Sequence, residues 1–277
     1  MKIVQIGTGG WGKNHSRVLS EFGVLSAICD TNPKLAEELG KKYSVNFYDS
    51  IENLLEREEF DAALICTPTS THTEIASRLI ENKKHVFVEK PLTYLSEDGQ
   101  KLIETAKKNN IILTCGYIER FNPAVATVKD FLKSKKYGDL IRLEFYREHR
   151  MPQHIKDVGI IYDTSVHDID TALWLFDEVP DVVFAIAGSI NHEHEDFATI
   201  MLGFKDNKNA TISSNWITPT RVRNFNAVCT DARIFSNFIT QEIRIETNNG
   251  TENPKNEKTE PLSLEIRNFL DAIQGKN

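Results

Sequence analysis

A short apolar strand, Lys2–Ile6, runs straight into Gly7-Thr8-Gly9-Gly10-Trp11-Gly12, and an amphipathic stretch, Gly12–Glu21, follows at once. Glycines at this spacing, between a strand and a helix, leave few folds open. Gly7 permits a tight turn, Gly9 lets the backbone approach a pyrophosphate, and Gly12 lets the helix pack close to the strand. The unpaired N–H groups and the dipole at the helix start then favour negative charge, with Gly10 and Trp11 completing the loop. A second strand, Val24–Cys29, ends at Asp30, 18 residues past Gly12. A carboxylate there accepts hydrogen bonds from adenosine ribose hydroxyls and repels a 2′-phosphate, so the pattern favours NAD over NADP. Asp30 can also simply open the turn Asp30-Thr31-Asn32-Pro33.

The rest of the first half keeps this grammar. Helices are predicted at 33–42, 51–56, 71–81 and 96–109, with Pro33 suited to a first turn and Ser96 to a cap. Strands are predicted at 45–48, 61–66, 84–88 and 111–115. Alternation of this kind implies a mostly parallel sheet with helices on both faces. After about residue 118 the pattern changes. One helix is expected at 122–134 and another at 162–176, with strands at 140–147, 182–187, 197–204, 210–216, 225–229, 233–238 and 242–246. Runs of strands favour an antiparallel sheet. The polar stretch 248–260 reads as a loop, and 262–273 as a last helix. The expected architecture is α/β: a Rossmann domain over 1–118, then an α+β domain over 119–277 whose open, mostly antiparallel sheet binds substrate and joins copies of the chain.

Composition limits the partners. The 277 residues carry a net charge of -7, which argues against a nucleic-acid surface. No apolar run approaches the length of a membrane span. The four cysteines, Cys29, Cys66, Cys115 and Cys229, show no metal-ligand spacing, and the N-terminus has no leader pattern, so a reduced cytoplasmic protein is expected.

Loops after the later strands should also line the cofactor crevice. They are Thr67-Pro68-Thr69-Ser70-Thr71-His72 and Glu89-Lys90-Pro91. Lys90 is biased away from helix by Pro91, and that bond can be cis. On the residues alone Lys90 can equally be a surface turn residue. Asp163 and His167 are four apart and share a helix face, with Asp170 about one turn beyond. A histidine beside a carboxylate suits acid–base work near neutral pH, although a helix cap or salt bridge explains the pair as well.

Taken in order, the glycine loop, Cys66-Thr67-Pro68, Glu89-Lys90-Pro91 and Asp163-x-x-x-His167 resemble the Gfo/Idh/MocA oxidoreductases, over nearly the whole chain. The resemblance implies hydride transfer from a sugar or polyol carbinol to a nicotinamide, with Lys90, Asp163 and His167 as catalytic residues. Family members usually continue with another helix after the one expected at 262–273. A narrower likeness lies in Gly116–Pro123, Arg150-Met151-Pro152, Asp157–Ile160, His194–Phe197 and Asn215–Pro219, which are similar to the UDP-N-acetylglucosamine 3-dehydrogenase branch. That implies oxidation of the sugar 3-hydroxyl and makes Arg120, Asn122 and Arg150 substrate-binding candidates beside Lys90, Asp163 and His167. Arg120, Arg147, His149, Arg150, Arg221 and Arg223 are available to phosphate oxygens. His192–Asp196 invites a metal, but it sits in a loop with no distant matching ligand, so no metal is expected. Dehydrogenases of another sugar, a uronate or inositol, and a non-catalytic NAD-binding regulator, remain open; a methyltransferase finds no support past the first domain.

Overall fold

The structure, a computed structural model, describes residues 1–152, 155 and 158–276. Asp157 of the segment noted above lies outside the described residues. The chain divides into two compact units: Met1–Gly116 with the residues from Leu262 onward, and Tyr117–Pro261.

In the first unit β1 (Ile3–Ile6), β2 (Leu25–Cys29), β3 (Asn46–Tyr48), β4 (Ala62–Ile65), β5 (His85–Glu89) and β6 (Leu113–Gly116) form a parallel sheet in the order β3-β2-β1-β4-β5-β6. This is the doubly wound order of a dinucleotide-binding domain. β1 and β4 are buried along their whole length, as strands covered on both faces must be. The helices are α1 (Gly12–Glu21), α2 (Pro33–Tyr43), α3 (Ile51–Arg57), α4 (His72–Glu81) and α5 (Ser96–Lys108). Asn32 caps α2 ahead of Pro33, and Ser50 caps α3. Ser96 does not cap α5; Leu95 occupies that position without a side-chain bond.

The last helix, α8 (Pro261–Ile273), belongs to this unit, not to the second domain where the sequence reading put it. Its apolar stripe, Leu262, Ile266, Phe269 and Leu270, is buried, and the Phe269 ring meets Phe87 of β5 at 5.7 Å. Periodicity reveals an apolar stripe but not which sheet it covers.

The second unit is built on α6 (Pro123–Lys133), β7 (Leu140–Glu148), α7 (Val166–Phe176), β8 (Val182–Gly188), β9 (Phe197–Gly203), β10 (Asn209–Asn215), β11 (Val222–Cys229), β12 (Ala232–Asn237), β13 (Ile243–Thr247) and β14 (Gly250–Glu252). Its sheet runs β14-β13-β12-β11-β7-β10-β9-β8, antiparallel except at β7 and β10. One face carries the core, where Phe145 and Phe225 stack at 5.4 Å and α6 and α7 supply Val125, Val128, Ala172 and Leu175. Two sequence expectations change here. The stretch read as a loop contains β14, because Asn248 and Asn249 turn the chain back on β13. The helix expected from Tyr162 is a π turn over Ile161–Ser165 that passes into α7. Among the described residues, no helix is long and apolar enough to cross a membrane.

Candidate active site

The first group of candidate residues lies at the carboxyl ends of the parallel strands. Gly7 takes a φ of +79°, which favours glycine, and a Cβ there would meet Cys66 O at 2.5 Å. A Cβ on Gly12 would lie 2.1 Å from Gly7 O, so helix and loop can touch only without a side chain. Over Gly9 and Gly10 nothing lies within 4 Å of an added Cβ, and Trp11 is exposed beside them. The loop thus offers an open backbone surface at a helix start, which fits the pyrophosphate of a dinucleotide.

Asp30 opens the turn read from the sequence and has a second role in the glycine loop. Its Oδ2 accepts from Thr8 N and Thr8 Oγ1, each at 2.7 Å, and its Oδ1 accepts from Asn32 N at 2.9 Å. The carboxylate therefore ties β2 to the glycine loop and also opens the Asp30–Pro33 turn. It stays partly exposed, with acceptor capacity left on Oδ1 for a ribose hydroxyl.

Two cofactor candidates are committed elsewhere. His72 has both ring nitrogens on backbone carbonyls, Nδ1 at 2.9 Å from Pro91 O and Nε2 at 3.0 Å from Thr67 O. It joins the loops after β4 and β5 instead of offering an atom to a ligand. Glu89 is buried, with Oε1 2.7 Å from His15 Nε2 and Oε2 accepting from Lys90 N at 3.1 Å. It holds the backbone at Lys90, whose bond to Pro91 is cis. Thr67 and Pro68 are accessible on the same loop, while Thr69 is buried.

His15 was missed by the sequence reading. It sits one turn into α1, fully buried, and its ligand atoms and those of Cys66 and Glu89 lie within 4.8 Å of one another. Burial opposes its charge, but Cys66 and Glu89 outweigh that and raise its pKa well above the usual value. The signal was present as a polar residue on the sheet-facing side of α1, three positions past Gly12.

The second group lies in the unit built on the antiparallel sheet. Asp163 sits in the π turn, accepting from Thr164 Oγ1 at 3.0 Å, and His167 is the second residue of α7. A wider turn of this kind is frequent at functional sites. Three candidates have other work. Arg120 grips Asp170 through Nε at 2.8 Å and Nη2 at 2.5 Å. Asn122 is buried, caps α6 through Ala124 N, and donates to Glu119 and to Phe238 O. Arg147, offered above as a phosphate ligand, lies under the sheet face with three bonds to Asp168 and one to Glu119. Arg150 stays exposed. In the His192–Asp196 loop, Asp196 is buried and accepts from Ile190 N and Asn191 N, which makes it a turn anchor.

Residues 1–117 match the model of an oxidoreductase family with an NAD-binding Rossmann fold, and residues 125–235 match the GFO/IDH/MocA C-terminal domain. The chain belongs to the Gfo/Idh/MocA family. It is an NAD-binding oxidoreductase. The UDP-N-acetylglucosamine 3-dehydrogenase of Acidithiobacillus ferrooxidans is 26% identical over 99% of this chain and 88% of its own length. A crystal form of that protein superposes with a TM-score of 0.92, covering 100% of this chain and 90% of that one. The myo-inositol 2-dehydrogenase of Thermotoga maritima is 31% identical over 74% of this chain and 65% of its own. An Agrobacterium radiobacter oxidoreductase, solved with NAD+, L-tartaric acid and magnesium, shares the fold at a TM-score of 0.90 and 19% identity, covering 99% of this chain and 89% of that one.

Proposed function

We propose that this chain oxidises a sugar hydroxyl, the 3-hydroxyl of UDP-N-acetylglucosamine, with Lys90, Asp163 and His167 as its catalytic residues. The observation that carries this reading is the likeness to the Acidithiobacillus enzyme along the whole chain, joined to a lysine whose backbone is fixed at the end of β5. NAD, when bound, accepts the hydride. His167 takes the hydroxyl proton, and Lys90 Nζ donates to the hydroxyl oxygen and steadies its growing negative charge. Asp163 orients the imidazole or binds a neighbouring hydroxyl. Lys90 and His167 can exchange these roles, and both assignments place the same two groups on the reacting oxygen.

NADH formation measured over UDP-N-acetylglucosamine, its uronate, myo-inositol and glucose tests the reading. Turnover highest on the first is expected. Turnover on inositol alone transfers the assignment to the inositol dehydrogenases, which the 31% identity to the Thermotoga enzyme favours as the second reading. Dinucleotide binding with no turnover on any of the four marks a regulator.

The free cysteines suit a reducing compartment, the cytoplasm. On one face of the edge strand β8, Val182, Phe184 and Ile186 are exposed, and Met201 of β9 adjoins them. A second copy of the chain is the proposed cover for this face, since an apolar edge strand can pair with its own equivalent. Sedimentation should give a multiple of the chain mass, and V182E with F184K should reduce it; a monomeric wild type overturns the idea.

A further inference from the structure

The paired rows of β7 and β11 change character along their length. Leu143 faces Ala227, Phe145 faces Phe225, and Arg147 faces Arg223. The first two pairs are buried and apolar, and the third sets two cations side by side, which is unfavourable by itself. Arg147 is neutralised by Asp168 and Glu119. Arg223 makes no ion pair among the described residues, and its Nε is buried without a hydrogen-bond partner. Burial, then the charges of Arg147 and Arg221, push its pKa down to about 10. Across β7, Ser214 of β10 lies opposite Arg147, and its buried hydroxyl has no partner either.

The neighbouring positions extend the pattern. Arg221 just precedes β11 and His149 just follows β7, so continuing the register brings them into adjacent positions. Burial lowers the His149 pKa, and Arg223, Asp163 and Arg221 all lie close enough to act on its ring. The His149 ring is thus within electrostatic reach both of the two arginines and of Asp163, one of the proposed catalytic residues.

A half-buried guanidinium among like charges is costly unless an anion is paired with it. We infer that Arg223, assisted by Arg221, binds an anionic oxygen group of the substrate, a phosphate or a carboxylate, beside Asp163. The inference rests on the sugar-oxidation reading and names the residues that hold the charged part of that substrate. Glu119 and Asp168 face the same region but are bound to Arg147; against Arg147, Arg221 and Arg223 they leave one positive charge, with Asp163 not counted.

Arg223→Gln separates this from a structural role. With UDP-N-acetylglucosamine, KM should rise about 10- to 100-fold, the loss of one charged hydrogen-bonding partner. KM for myo-inositol, if it is turned over, should stay within about twofold. Because the substitution removes an uncompensated cation, Tm without substrate should hold or rise. A fall of more than about 4 °C marks Arg223 as structural and overturns the inference. Calorimetry with UDP and with glucuronate, on protein saturated with NAD, distinguishes a phosphate from a carboxylate without needing turnover. If no sugar nucleotide is oxidised yet R223Q weakens either anion tenfold, the substrate reading fails and the anion site stands. If UDP-N-acetylglucosamine is oxidised with unchanged KM in R223Q, and neither anion binds differently, the site is wrong and the reading stands.

Discussion

Replacing Lys90 by methionine should lower kcat about a thousandfold while NAD affinity stays within a few-fold, because one positioned donor to a developing oxyanion is worth about 3–4 kcal/mol in such sites. Methionine keeps the length and the apolar stem, so the exchange removes charge and donor with little change in volume. The backbone at this position is held independently of its side chain. Glu89 accepts from Lys90 N, His15 fixes Glu89, and His72 bonds Pro91 O. The cofactor loop is tied separately, through Asp30 and Thr8. Steady-state rates give kcat and titration calorimetry gives NAD affinity. Near-normal turnover in K90M would show that Lys90 is not a catalytic residue. Lost NAD binding with an unchanged rate at saturation would move it to the cofactor.

The first domain was legible because its constraints are local. A glycine that must have positive φ, a glycine that must lack Cβ, and an acidic residue at the end of the next strand are each visible in sequence. The second domain was legible in class, through its run of strands. Its errors have a common cause. Placing α8 on the first sheet depends on the long-range contact of Phe269 with Phe87, and no periodicity contains that. The π turn before α7 has the same apolar pattern as an α-helix, and only its hydrogen bonding differs.

The site divides along the same line. Positions fixed by a strand end, such as Lys90, were readable from local signals together with a family pattern. What sequence could not give was each polar side chain's partner. Arg120, Arg147, Asn122 and His72 all looked available, and each is bound to a group between 5 and 116 positions away. Arg223 looked like one more arginine, and its Nε is buried without a hydrogen-bond partner among the described residues.

Arg147→Met carries the largest expected effect on stability. The guanidinium is fully buried, bonded to Asp168 and Glu119, and laid over the Phe238 ring at 4.8 Å. Burial disfavours its charge, but Asp168 and Glu119 outweigh that and raise its pKa. Removing one member of a buried charge cluster strands the others, at about 3–5 kcal/mol. For a chain of this size that is a fall in Tm of about 10 °C. The pH dependence gives a second readout. Burial already holds the Asp168 carboxyl above its usual range with Arg147 beside it, and removing the guanidinium should raise it further, so the folded form binds more protons and stability falls more steeply as pH rises. The deficit should therefore be largest near neutral pH and shrink below about pH 3, where the Asp168 carboxyl is protonated in both the folded and the unfolded state. Thermal melts of wild type and R147M at several pH values test this. A deficit independent of pH would mean that packing on Phe238, rather than charge, is what Arg147 contributes. A fully apolar version, Met at 147 and 119 with Leu at 168, should recover most of the lost stability, since a well-packed apolar cluster can replace a buried ionic one. Asp168 adjoins His167 at the start of α7, so the recovered stability should not bring back activity if Arg147 also fixes where that helix begins.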